Sequence, residues 1–136
     1  MASLGWIDPV RRPHMVAIHP AGCAPIVRAV GAGAERAEPW SADAIRTLAD
    51  DLLEPDPAGA ALVLRAIRES SGTAVGAGDT EMVTEMKTLA RLEGISAAPG
   101  AGAAVHALRV LASEGRIKPH DTVVIVNPAT AGPYAS

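Results

Sequence analysis

Two side chains suited to proton transfer or nucleophilic chemistry lie four residues apart, His19 and Cys23, at the close of the first apolar run. An imidazole titrating near neutrality at the end of a strand can serve as general acid or base. A hydrogen-bonded loop histidine is the plainer alternative. Cys23 lies near the N-terminus of a predicted helix, which would favour its thiolate, although a packing role is the favoured reading. Gly76, Gly78 and Asp79, then Ser96, then Asn127 and Thr130, fall at the ends of further predicted strands. There they are expected to orient a small-molecule substrate. Asp79 also reads as an N-cap for the helix that follows. The Gly76-Ala77-Gly78 spacing lacks the third glycine of a dinucleotide loop and is a weak signal. His14, His19, His106 and His120 show no metal-ligand spacing, so no metal site is expected.

These residues need a scaffold that brings strand ends together. His14–His19 is a compact apolar run bounded by prolines and predicts a first strand. Gly22–Val30 predicts a helix, with Pro25 tolerable only in its first turn. Residues 31–42 predict a loop, and Ser41–Leu53 a helix with Ser41 as N-cap. Glu54-Pro55-Asp56-Pro57 breaks the chain. Beyond it the pattern predicts a helix over Gly59–Ser70, a strand over Gly72–Ala77 and a helix over Thr80–Arg91. A short strand over Ile95–Ala98 and a helix over Gly100–Ser113 follow. Thr122–Val126 is an unbroken apolar run, the mark of a strand buried on both faces. Strands alternating with helices predict an α/β protein: a three-layer Rossmann-like sandwich with a parallel sheet of about four strands. In such sheets ligands bind beyond the carboxyl ends of the strands, where all eight candidate residues lie.

Length and composition narrow the choice. The 136 residues make one domain with a single buried core. Hydrophobic residues reach 49% while aromatics are 2% and phenylalanine is absent, so alanine and aliphatic residues must fill that core. The net charge of −3 is spread without a basic patch, and nucleic acid is an unlikely partner. One cysteine excludes an internal disulfide. The opening MASLGWIDPVRRPH shows no apolar leader core, and no run is long enough to span a membrane, so a cytoplasmic protein is expected.

Several segments carry a family resemblance. They are Arg65-Ala66-Ile67-Arg68-Glu69-Ser70, Gly72-Thr73-Ala74-Val75, Asp79, Leu89-Ala90-Arg91-Leu92-Glu93-Gly94-Ile95, and Pro99 with small residues after it. Upstream, Leu4-Gly5-Trp6-Ile7-Asp8 and Gly22-Cys23-Ala24-Pro25-Ile26-Val27-Arg28-Ala29 come in the same order. Together they resemble the C-terminal half of threonine synthase, a pyridoxal-phosphate enzyme of fold type II. The resemblance implies a truncated domain over 1–136, in which 1–13 is a lead-in and 128–136 a loose tail. It also implies that the family's Schiff-base lysine and phosphate loop belong to a portion N-terminal to this stretch. Lys87 and Lys118 are the only lysines, and neither falls where the family places that residue.

The family's cofactor-facing positions are altered as well. Ala98-Pro99 stands where the resemblance implies Glu-Pro, and Pro128-Ala129-Thr130-Ala131 where it implies a Thr-Gly-x-Gly run. His19-Pro20-Ala21 replaces a Gln-x-Glu pattern. Cys23 matches the family, in which it is not a nucleophile. The expectation is therefore a repurposed protein that holds no cofactor and acts on a small molecule at the strand-end crevice. Its reaction would be a proton transfer, elimination, isomerisation or cyclisation, with His19 and Cys23 as catalytic candidates. The alternative is a non-catalytic accessory subunit, pairing with itself or another protein through the face left by the absent N-terminal domain, or half of a split threonine synthase.

Overall fold

Two runs of small and β-branched residues pair as the sheet. β1 (Val16–Pro20) lies parallel to β2 (Thr73–Ala77), in a register that sets His19 against Gly76 and Pro20 against Ala77. The computed structural model describes residues 4–6, 8 and 12–132. Part of the lead-in, and the tail from 133 on, lie outside the described residues.

The period-two alternation of the strands sends successive side chains to opposite faces. Ala17 and Ala74 point to one face, where Ile26 and Ala29 of α1 (Pro25–Gly31) meet Leu64 and Ile67 of α2 (Ala60–Glu69). Ile18 and Ala77 point to the other. There they pack with Ala49, with Met82 of α3 (Asp79–Glu93) and with Ala103 of α4 (Pro99–Ser113). Helices thus cover both faces, and the fold is the α/β three-layer sandwich read from the sequence. At the start of the sheet, the Met15 N–H donates to Ser70 Oγ at 3.0 Å, tying β1 to the end of α2.

Alanine and glycine bring α3 and α4 close. Residues 99–104 at the start of α4 are buried throughout. Gly102 lies directly on the Met82 carbonyl. Arg109 Nε donates to Glu85 Oε1 at 2.7 Å and links the two helices further along. α3 stops at Gly94, whose φ of +67° is a left-handed cap that glycine adopts without strain.

Three segments depart from the sequence reading. The sheet has two strands among the described residues rather than about four. Ile95–Ala98 contributes a single antiparallel bridge, Ala97 to Thr130, instead of a parallel strand. Thr122–Val126 is not a strand; it is exposed chain, with Val124 84% and Val126 75% accessible. An apolar β-branched run forms a strand only where a neighbouring edge accepts its backbone bonds. None of the described residues pairs with it as a strand. Ser41–Leu53 is not a helix but an irregular segment with two short 3₁₀ turns, Ala42–Ala44 and Asp50–Leu52. Ser41 makes no capping bond, and the Leu48 N–H goes to a carboxylate far along the chain rather than to a helical carbonyl. Side chains that capture backbone donors in this way compete directly with helix formation.

Alanine in a helix interior ordinarily exceeds glycine by about 1 kcal/mol. At Gly102, however, a Cβ would collide with the Met82 carbonyl and approach Met86 Cγ at 3.1 Å. The obstacle is largely backbone, so overpacking dominates, and Gly102→Ala is expected to destabilise the fold by about 1–2 kcal/mol. Urea unfolding measures this, and an unchanged or raised midpoint would show that α3 and α4 can move apart.

Candidate functional site

β1 ends in His19 and Pro20, and the chain then turns sharply before α1. Ala21 N–H donates to Ala77 O at 2.7 Å, and Cys23 N–H to Pro20 O at 2.9 Å. These bonds hold the turn against the end of β2. His19 is half-buried, and its Nδ1 lies 3.3 Å from the Cys23 carbonyl oxygen. A ring nitrogen facing a carbonyl must carry the proton to bond it, and that tautomer leaves Nε2 as the basic nitrogen. Burial lowers the His19 pKa from its ordinary 6.5; the bond to the Cys23 carbonyl and the charge of Glu54 oppose the shift. Neutral imidazole is thus the favoured form.

Cys23 is fully buried, and burial pushes its thiol pKa up; a bond from the Glu54 backbone opposes this, and the Glu54 charge adds to it. That direction is opposite to the lowering a helix N-terminus would give. The thiol packs beneath Glu54.

Gly78 is the N-cap of α3, placing Asp79 at the first helical position rather than at the cap. Asp79 makes no capping bond to its own helix. Instead Oδ1 accepts from Thr47 Oγ at 2.8 Å and Oδ2 from the Leu48 N–H at 3.0 Å. The carboxylate reaches out and secures the 41–53 segment. That segment continues across the strand ends: Ala49 is fully buried among Ala77, Met82 and Ala103. Asp51 Oδ2 then accepts the Gly100 N–H at 2.9 Å, at the start of α4.

The candidate residues accordingly form two groups. His19, Cys23, Gly76, Gly78 and Asp79 gather at the ends of β1 and β2. Ser96, Asn127 and Thr130 gather beyond α3, all three exposed. There the Ser96 carbonyl accepts the Ala131 N–H at 3.3 Å, while Thr130 bridges Ala97. Asn127 borders a shallow groove of about 140 Å³ with Leu89, Ile95, Val105 and Ile125. A larger concavity, about 340 Å³, opens between α1 and α2 beside Ile67 and Gly72. It lies at the opposite end of the strands from His19.

Thr47, Ala49, Asp51 and Glu54 are the site residues that the sequence reading missed. Their partners are 30 or more positions away in most cases, and no local spacing announces such pairs. Among the described residues no group of three His, Cys, Asp or Glu side chains could hold a metal ion, and no helix is long and apolar enough to cross a membrane.

Residues 2–129 match the profile of a family described as pyridoxal-phosphate dependent enzyme. The threonine synthase of Methanosarcina acetivorans is 40% identical over 114 residues, covering 84% of this chain and 28% of that protein. The threonine synthase of Methanocaldococcus jannaschii is 33% identical over 122 residues, covering 90% and 29%. Maize serine racemase superposes with a TM-score of 0.56 at 20% identity, over 76% of this chain and 29% of that one; this is a likeness of fold. The chain spans under a third of the length of these curated relatives.

His19 gives a signed pH prediction. Its folded pKa lies below 6.5, so the folded state binds the proton less readily than the unfolded one. The associated stability is fully present above pH 6.5 and is lost as pH falls through the folded midpoint. NMR titration of the His19 ring, assigned by the signal that vanishes in His19→Asn, should show a midpoint below 6.5, and the variant's stability should fall less steeply on acidification. A His19 midpoint at or above 6.5 would contradict the burial argument.

Proposed function

Because the chain belongs to the family of pyridoxal-phosphate dependent enzymes, we propose that it works as a threonine synthase-like component completed by further protein over its exposed apolar run. The observation that carries this is the run Val123–Val126, which leaves Val124 and Val126 largely accessible and Val123 and Ile125 partly so. A contiguous apolar strip of this kind marks a surface meant to be covered, and its β-branched sequence suits a strand awaiting an edge. The chain's span of under a third of its relatives is in keeping with a wall of a larger site.

By themselves the described residues do not fit pyridoxal phosphate. Both lysines lie on exposed positions, Lys87 midway along α3 and Lys118 in the turn after α4, away from His19 and Gly76. The α4 N-terminus, where backbone donors would receive an anionic group, gives the Gly100 N–H to Asp51. Ala98 is fully buried and cannot be the acid implied at that position. Within this reading the chain contributes position and shape: the His19 imidazole, the turn after β1 and the segment across the strand ends.

A second reading, cofactor-independent acid–base chemistry on a small molecule, is favoured by one feature. His19 is held by Nδ1 and kept neutral, which leaves Nε2 as a base. The sealed thiol of Cys23 leaves His19 alone in that role. Any turnover of the isolated protein that survived His19→Asn would eliminate this alternative.

Association is the test of the main reading. Sedimentation of the protein alone, and after coexpression with the part of a threonine synthase that it does not match, should reveal a complex. Val124→Lys with Val126→Lys should weaken that complex about tenfold or more while leaving the melting temperature unchanged, since both side chains are exposed. A strictly monomeric protein under both conditions would rule the reading out. Visible cofactor absorbance in the complex would identify a split pyridoxal-phosphate enzyme, and its absence an accessory subunit.

A further inference from the structure

We infer that residues 40–55 form a hinged strap that closes the carboxyl end of the sheet and opens as a unit, controlling access to His19 and Cys23. The inference concerns this chain's own conformation and holds whether or not another protein completes the fold. The strap begins and ends at one point: the Trp40 N–H donates to the Pro55 carbonyl at 2.7 Å. Arg28 steadies that base, with its guanidinium 4.9 Å from the Trp40 ring and hydrogen bonds to the Glu38 and Pro39 carbonyls. Loops of about this length with their ends joined form compact units that are frequently functional.

Between its joined ends the strap touches the strand-end elements in turn. Arg46 N–H meets the Gly22 carbonyl at 3.3 Å, beside the β1 turn. Gly22 has no side chain where the Arg46 carbonyl comes down, so only glycine lets the strap seat there. Thr47 and Leu48 are held by Asp79 at the end of β2. Asp51 is held at the start of α4. Glu54 lies over Cys23 and close enough to His19 to act on both. The route crosses the sheet's carboxyl edge, which in open α/β folds is where ligands are received.

The means of attachment make the strap separable. Its residues have no strand ladder and no α-helix, only two short 3₁₀ turns. Its one fully buried residue is an alanine, Ala49, and the half-buried Leu52 packs against the same cluster, so its apolar anchor is small. The remaining hold is polar and local, above all through Asp79. Asp51 is an imperfect clasp, because its Oδ1 is buried without a hydrogen-bond partner. A segment fixed by a few side-chain bonds and a small apolar anchor belongs to the low-stability, locally opening part of a fold. The β1–β2 ladder and the α1–α2 layer involve none of these bonds, and α3 and α4 enter them only through their first turns, so they can persist while the strap lifts.

Cys23 is the sole cysteine and lies beneath the strap, so its labelling by a small thiol reagent reports the opening. Thr47→Val removes the strap's side of the main clasp, and Asp79→Asn weakens the other side. Each should raise the native-state labelling rate about tenfold or more, with little dependence on low urea concentrations, as local opening requires. Ile67→Ala, in the core on the opposite face, should accelerate labelling only with the steep urea dependence of global unfolding. The inference is overturned if Thr47→Val and Asp79→Asn label at the wild-type rate. It is equally overturned if their acceleration carries the same steep urea dependence as Ile67→Ala.

Discussion

With no phenylalanine and an interior built from alanine, glycine and a few aliphatic side chains, the elements of this fold must approach until backbone meets backbone. Three glycines mark where this happens. Gly72 lies on the Met15 carbonyl at the start of the sheet, Gly102 on the Met82 carbonyl between α3 and α4, and Gly22 on the Arg46 carbonyl under the strap. Interiors pack to crystal-like density, and where large side chains are missing that density comes from close helix and loop approach. The small residues at the start of α4 and the alanines facing the sheet follow from the same constraint.

Close approach also shapes the candidate site. A segment without helical or strand bonds can lie flush on the strand ends because Gly22 and Ala49 leave room for it. Its Leu48 N–H then needs an acceptor, which Asp79 supplies, and its own Asp51 carboxylate accepts the Gly100 N–H of α4. His19 and Cys23 are consequently set in a partly dehydrated environment. Burial drives both toward their neutral forms, the imidazole by lowering its pKa and the thiol by raising it. The chemical character of the two residues is therefore decided by what covers them more than by their position in the sequence.

The Thr122–Val126 run shows the same dependence with the opposite result. Its residue types favour a buried strand, but neither strand of the two-stranded sheet pairs with it, and Ile95–Ala98 engages the chain only through the Ala97–Thr130 bridge. The apolar side chains consequently face outward. Strand formation is a property of two segments together, so a strand pattern without a paired edge yields an exposed apolar surface.

Local patterns in the sequence determined much of this protein by themselves. The strands beginning near Val16 and Thr73, and the helices near Pro25, Ala60, Asp79 and Pro99, carry their own periodicity, breakers and caps, and they emerge within a few residues of expectation. The α/β class and the kinship with threonine synthase were legible for the same reason, since both reside in contiguous segments. The convergence of His19 with Gly76 was legible too, because parallel strands of similar length align their ends. Tertiary structure alone decided the rest. Asp79 looks like a helix cap and instead clasps Thr47, 32 positions earlier, while Ser41–Leu53 looks helical and becomes a strap. Asn127 and Thr130 are separated from His19 because the strand that would have delivered them does not form. These outcomes depend on which distant group satisfies each backbone donor and which surface covers each side chain, and such long-range competition leaves no local periodicity to read.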